Sequence, residues 1–164
     1  MREKKTLIFD WGDTIMRDFA MEGSMWKWEK VEWIPDLEDQ LKLLYNDYNM
    51  VVATSADHSG TDDMIKALER IGAHKYFNHF FSQKELGFKK PDPRFFQSII
   101  DKLNLNPSES LMIGNSYEKD IEGAKKAGLN TLFFNEMALK GDHTAADRII
   151  NTMEELKKSI EEIL

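Results

Sequence analysis

Four groups of side chains in this chain carry chemistry: Asp10, Asp13 and Thr14; Thr54 with Ser55; Lys90 before Pro91; and Gly114-Asn115-Ser116 followed by Asp120. They supply carboxylates, hydroxyl donors, an ammonium group and an amide. Gathered in one volume, such a set suits an anionic substrate held with a divalent metal ion. What could gather them is the kind of element that each one follows. Leu7-Ile8-Phe9 is too short and too apolar to be a surface helix, and it ends abruptly at Asp10. The other groups stand at the ends of further apolar runs or just beyond them, and in an open parallel sheet such strand ends converge on one edge where ligands bind.

Five strands are expected, over residues 6–10, 50–54, 77–81, 110–113 and 131–134. Segments of helical period separate them, which is the pattern of an α/β fold with a parallel sheet and crossover helices. The stretch 59–71 places Met64, Ile65, Leu68 and Ile71 on one face and stops at Gly72. Asp92 and Pro93 read as cap and first helical position, before a stripe of Phe95, Phe96, Ile99, Ile100 and Leu103. Helices are also expected over 117–127, ending at Gly128, and over 152–164, opened by the capping-box pair Thr152 and Glu155. One region, 16–35, is irregular. Trp26, Trp28 and Trp33 fall there together with Met16, Met21 and Met25. These aromatics either pack a short flap onto the core or contact substrate, and a lid needs both.

The chain has 164 residues, enough for one domain with a single core, and no linker or repeat divides it. No apolar run approaches the roughly 20 residues that span a bilayer, so a membrane protein is not expected. The basic start, Met1-Arg2-Glu3-Lys4-Lys5, precedes an apolar segment too short for a signal peptide, which makes the cytoplasm the expected location. The absence of cysteine excludes disulfides, thiolate zinc sites and cysteine nucleophiles. A net charge of −7, from 22 basic and 29 acidic side chains, argues against nucleic-acid binding through a positive surface.

In the order and spacing of its four groups the chain resembles the haloacid dehalogenase superfamily of phosphohydrolases, over nearly its whole length. That family carries Asp-x-Asp-Gly-Thr, then a Ser or Thr after an apolar strand, then a Lys often followed by Pro, then Gly-Asp with a later Asp. Here these motifs read Asp10-Trp11-Gly12-Asp13-Thr14, Val51-Val52-Ala53-Thr54, Lys90-Pro91, and Gly114-Asn115 with Asp120. The resemblance implies a three-layer, Rossmann-like, doubly wound parallel sheet in one domain over 1–164, with 16–35 as a minimal cap. It implies a hydrolase of phosphorylated substrates in which Asp10 is the nucleophile, forming an aspartyl phosphate that water then hydrolyses. Thr54, Lys90 and N–H groups near Trp11, Gly12 and Ser55 would hold the phosphoryl oxygens. Mg²⁺ would bind Asp10, the Gly12 carbonyl and Asn115, with Asp120 supporting the metal or Lys90 from behind.

Two positions depart from the pattern. Gly12 stands where the family's phosphatases place a second aspartate, the group that protonates the leaving oxygen and then activates water, a contribution of about 10²–10⁴-fold. Asp13 follows one residue later and is a candidate catalytic replacement for that acid, although a shift of one residue would by default point its side chain elsewhere. Asn115 replaces an aspartate metal ligand and removes one negative charge. These changes suggest either weakened activity or a leaving group that needs no acid, such as an acyl phosphate. The alternative is a catalytically weak phosphate-binding or protein-interaction module. Metal-free dehalogenation needs an enclosed apolar pocket, which a short flap does not provide. A receiver-type signalling domain has its phosphorylated aspartate after the third strand, where this chain has Ser82. With so small a cap, the open site would admit large substrates or be closed by a second subunit of a homo-oligomer.

Overall fold

Runs of Ile, Val, Leu and Phe that are buried on both sides form the centre of the molecule, as expected of strands covered by helices on two faces. The computed structural model describes residues 2–164, so the first residue of the basic amino-terminal run lies outside it. Strand β1 (Thr6–Phe9) leads through the 16–35 segment to helix α1 (Leu37–Leu44), and β2 (Asn49–Thr54) leads to α2 (Thr61–Arg70). Next come β3 (His79–Ser82), α3 (Gln83–Leu86) and α4 (Pro93–Leu103), followed by β4 (Ser110–Gly114). A π-helical turn (Tyr117–Glu122) runs into α5 (Gly123–Lys126), and β5 (Asn130–Phe134), β6 (Arg148–Ile150) and α6 (Leu156–Ile163) complete the chain.

The sheet is six-stranded, with all pairs parallel, in the order β3-β2-β1-β4-β5-β6. The chain winds outward from β1 in one direction and from β4 in the other, so the topological switch point lies between these two strands. Alternate residues of each strand serve opposite layers. Leu7, Phe9, Val52 and Ile113 pack with α1, α2 and α6, while Ile8, Val51 and Met112 pack against Phe95, Phe96 and Ile99 of α4.

The expected count of five strands is corrected to six. The added β6 is three residues long, two of them exposed, at the sheet edge, and so short a run carries no period to read. The third strand begins at His79 rather than Phe77, because His74–Tyr76 forms a 3-10 turn whose cap is Phe77. Helix α1 was not among the expected elements. The expected caps are present elsewhere: the Asp92 side chain accepts the Arg94 N–H (2.9 Å) with Pro93 following, and Gly72 takes φ +71° after α2.

Candidate active site

Asp10 is the first residue beyond β1. Its N–H still bonds the Ile113 carbonyl (2.9 Å), which fixes the direction in which its carboxylate leaves the sheet at the switch point. The chain then closes a tight loop, with Ile15 N–H on the Trp11 carbonyl (2.8 Å) and an isolated bridge between Gly12 and Met16. Buried Trp11 donates its indole N–H to Met16 Sδ (3.3 Å) inside this loop.

Lys90 Nζ donates to Asp10 Oδ1 and to Asp120 Oδ1, each at 2.8 Å. Side-chain exposure is 2% for Lys90, 2% for Asp120 and 14% for Asp10, so the nucleophile candidate alone opens to solvent. Burial favours loss of the lysine proton, but the two carboxylates more than offset it and hold the Lys90 pKa above its ordinary value. One cation between two anions leaves a charge in excess. Burial first, and repulsion from Asp10 second, keep Asp120 above the usual carboxylate range despite the pull of Lys90 and of the Ser116 N–H.

The local sequence explains how Asp120 comes to be there. The Ser116 hydroxyl caps the turn by accepting from Lys119 N–H (3.2 Å), while Ser116 N–H donates to Asp120 Oδ2 (3.0 Å). Asp120 packs directly on the end of β4, where a Cβ on Gly114 would lie 2.3 Å from Asp120 Oδ2, so only glycine fits. The second and third groups are joined as well. Ser55 Oγ accepts the Lys90 N–H (2.8 Å), and buried Thr54 accepts the Ala56 N–H (3.1 Å) at the mouth of the cleft.

Three oxygens converge around the Asn115 amide: Asp10 Oδ2 at 2.8 Å, and the Gly12 carbonyl and Thr14 Oγ1 at 3.2 Å each. With its NH₂ turned inward, Asn115 donates to this cluster; with its carbonyl turned inward, the cluster contains oxygen donors alone, the set that Mg²⁺ prefers. The residues present therefore fit a hard divalent cation held by Asp10, Gly12 O and Asn115. Asp120 has both carboxylate oxygens engaged, by Lys90 and by Ser116 N–H, which places it behind the lysine.

Asp13 lies in the left-handed region (φ 56°), and its Oδ1 accepts from Asp18 N–H (3.0 Å) and Arg17 Nη1 (3.4 Å). Burial raises its pKa, only partly opposed by these donors. Its carboxylate thus braces the loop. The flap tryptophans anchor to α2 and its neighbours: Trp26 donates to Asp63 Oδ1 (3.1 Å) and Trp33 to the Ile71 carbonyl (3.0 Å). The cleft, about 240 Å³, is lined by members of every expected group, by Met25 of the expected flap, and also by Asp18, His58 and Lys119, which the sequence did not single out. None of these three is a motif position: Asp18 is brought in by the folding of the flap, His58 by the loop after β2 and Lys119 by the turn after β4.

The family model described as haloacid dehalogenase-like hydrolase matches residues 8–134. The chain is 30% identical over 97 residues to a glyceraldehyde 3-phosphate phosphatase of Methanothermobacter thermautotrophicus, covering 56% of this chain and 43% of that protein. It is 33% identical over 112 residues to the pyrimidine 5'-nucleotidase PynA of Streptococcus pneumoniae, covering 68% of this chain and 45% of the relative. The matches thus span about half the length of these relatives. Among solved structures, a HAD phosphatase from Thermococcus onnurineus superposes with a TM-score of 0.80 at 21% identity, covering 95% of this chain and 97% of that one. The HAD-hydrolase YfnB of Bacillus subtilis, crystallised with magnesium, also gives 0.80 at 18% identity, covering 97% and 99%.

Proposed function

The chain belongs to the haloacid dehalogenase-like hydrolases, and from that premise we propose that it is a Mg²⁺-dependent phosphohydrolase acting through an aspartyl phosphate at Asp10. The observation that carries this reading is the state of Asp10. One carboxylate oxygen is neutralised by buried Lys90 and the other faces the oxygen cluster at Asn115, while the side chain keeps an open path to the cleft.

A carboxylate attacking a phosphate dianion meets charge repulsion, which Lys90 reduces from within the protein. When bound, Mg²⁺ supplies further positive charge at the phosphoryl oxygens. Lys90 stays protonated because Asp10 and Asp120 flank it, and Asp120 fixes the direction of its ammonium group. Thr54, Ser55 and the 11–12 turn line the same cleft as Asp10, which supports their hydroxyl and N–H groups as the holders of the transferring phosphoryl oxygens. Asn115 donates to Asp10 or turns its carbonyl toward the cation. The names of the relatives support small phosphorylated molecules as substrates, among them sugar phosphates and nucleoside 5'-monophosphates.

The test is hydrolysis of p-nitrophenyl phosphate, glyceraldehyde 3-phosphate and a pyrimidine 5'-monophosphate by the native chain and by Asp10→Asn, with and without Mg²⁺. Activity that needs both Asp10 and Mg²⁺ is expected. Equal rates for the two proteins overturn the reading, and tight phosphate binding without turnover favours the binding-module alternative that Gly12 raises.

A further inference from the structure

An alkoxide leaves phosphorus only if it gains a proton as its bond breaks, and Gly12 offers none. Lys90 is held between two carboxylates, and Asp13 is turned to its own loop. His58 is bound through Nδ1 to Ser59 Oγ (2.6 Å), with its ring 6.1 Å from those of both Trp11 and Trp28. Asp18 remains. A Cβ built on Gly12 would lie 3.6 Å from Asp18 Cβ and 3.7 Å from Asp18 Oδ2, so the volume that a side chain at position 12 would enter already holds this carboxylate. Asp18 lines the same cleft as Asp10. Its Oδ1 is occupied by the Ala20 N–H (2.8 Å) in a local turn, whereas its Oδ2 has no hydrogen-bond partner among the described residues.

The loop explains the displacement. The chain returns to the space beside Gly12 at Asp18, after the turn braced by Asp13, whose Oδ1 accepts the Asp18 N–H. We propose that Asp18 is the acid–base residue of this site, delivering from the flap the carboxylate that Gly12 lacks, and that the substrates are phosphomonoesters with alkoxide leaving groups. The proposal rests on Asp10 as nucleophile. In the first step an Asp10 oxygen bonds to phosphorus, the bond from phosphorus to the ester oxygen breaks, and that oxygen takes the proton of the Asp18 carboxyl and departs as an alcohol. In the second step the Asp18 carboxylate takes a proton from water as the water oxygen bonds to phosphorus. The bond to Asp10 then breaks, releasing inorganic phosphate and restoring both residues.

The experiment compares kcat/KM, which reads the step that expels the alcohol, for an alkyl phosphate and for p-nitrophenyl phosphate with Mg²⁺ present. The proteins are the native chain, Asp18→Asn, Asp13→Asn and the double variant Gly12→Asp/Asp18→Asn. Asp18→Asn keeps the Oδ1 turn bond and is expected to lose about 10²-fold or more on the alkyl ester. It should change little on the nitrophenyl ester, whose leaving group needs no proton. In the double variant, Gly12→Asp, whose added Cβ would stand at ordinary contact distance from the residue-18 side chain, should restore much of the alkyl activity. An equal loss on both esters, no loss on the alkyl ester, or a selective loss in Asp13→Asn but not in Asp18→Asn overturns the assignment. Activity that needs Asp10 but not Asp18 overturns this inference alone; absence of Asp10-dependent activity overturns the phosphohydrolase reading as well.

Discussion

Lys90 concentrates the electrostatics of the site in one side chain. It is buried at the cost of desolvation, and Asp10 and Asp120 return that cost only because both lie at 2.8 Å. Lys90→Met should therefore destabilise the fold by about 3–5 kcal/mol, since two carboxylates are left without a cation in a buried setting. Urea unfolding checks this, and Lys90→Met/Asp120→Asn should recover part of the loss by removing one of the two stranded charges. The motif spacing made Lys90 and Asp120 legible as members of one site. It did not tell what Asp120 touches: its place behind Lys90 follows from the π-helical turn, a feature that no apolar period announces.

Two elements position these residues, and each offers a point of failure. The end of β4 must be glycine because Asp120 packs against it, so Gly114→Ala should cost about 1–3 kcal/mol as the added methyl group pushes Asp120 away. Loss of activity together with a lowered thermal midpoint is the expected pair of observations. On the other side of the switch point, Arg17 ties the start of the flap to the loop after β5, with Nη1 and Nη2 on Glu136 Oε1 and Oε2 at 2.6 and 2.9 Å. The hydrogen bonds from Arg17 hold Glu136 below its ordinary 4.5. A carboxylate with a depressed folded-state pKa contributes stability above its unfolded value and loses it as the pH falls through the folded value. Glu136→Gln should thus be less stable than the native chain at pH 7, by about 0.2–1 kcal/mol for so exposed a pair. That difference should vanish as the pH is lowered well past 4.5, which paired denaturation curves would reveal.

At the scale of the whole molecule, the sheet order places the ends of β1 and β4 side by side, and a cation bound there would link two halves of the chain. Mg²⁺ at about 100 times its Kd should raise stability by about 2.7 kcal/mol, and thermal unfolding of Asp10→Asn should show a much smaller response. The sequence by itself determined the α/β alternation, the central strands and the four groups at one edge, because buried strands announce themselves by composition and a catalytic carboxylate interrupts them abruptly. It also exposed Gly12 and Asn115 as the unusual positions. It could not give β6, whose three edge residues carry no period, nor α1. Above all it could not place Asp18, since only the fold of the 11–18 loop decides which carboxylate reaches the space beside Gly12. Local sequence specifies strands and caps through contacts a few residues apart, whereas a loop's side chains are placed by the surfaces it is folded onto, here the Asp13 brace and the tryptophans pinned against α2.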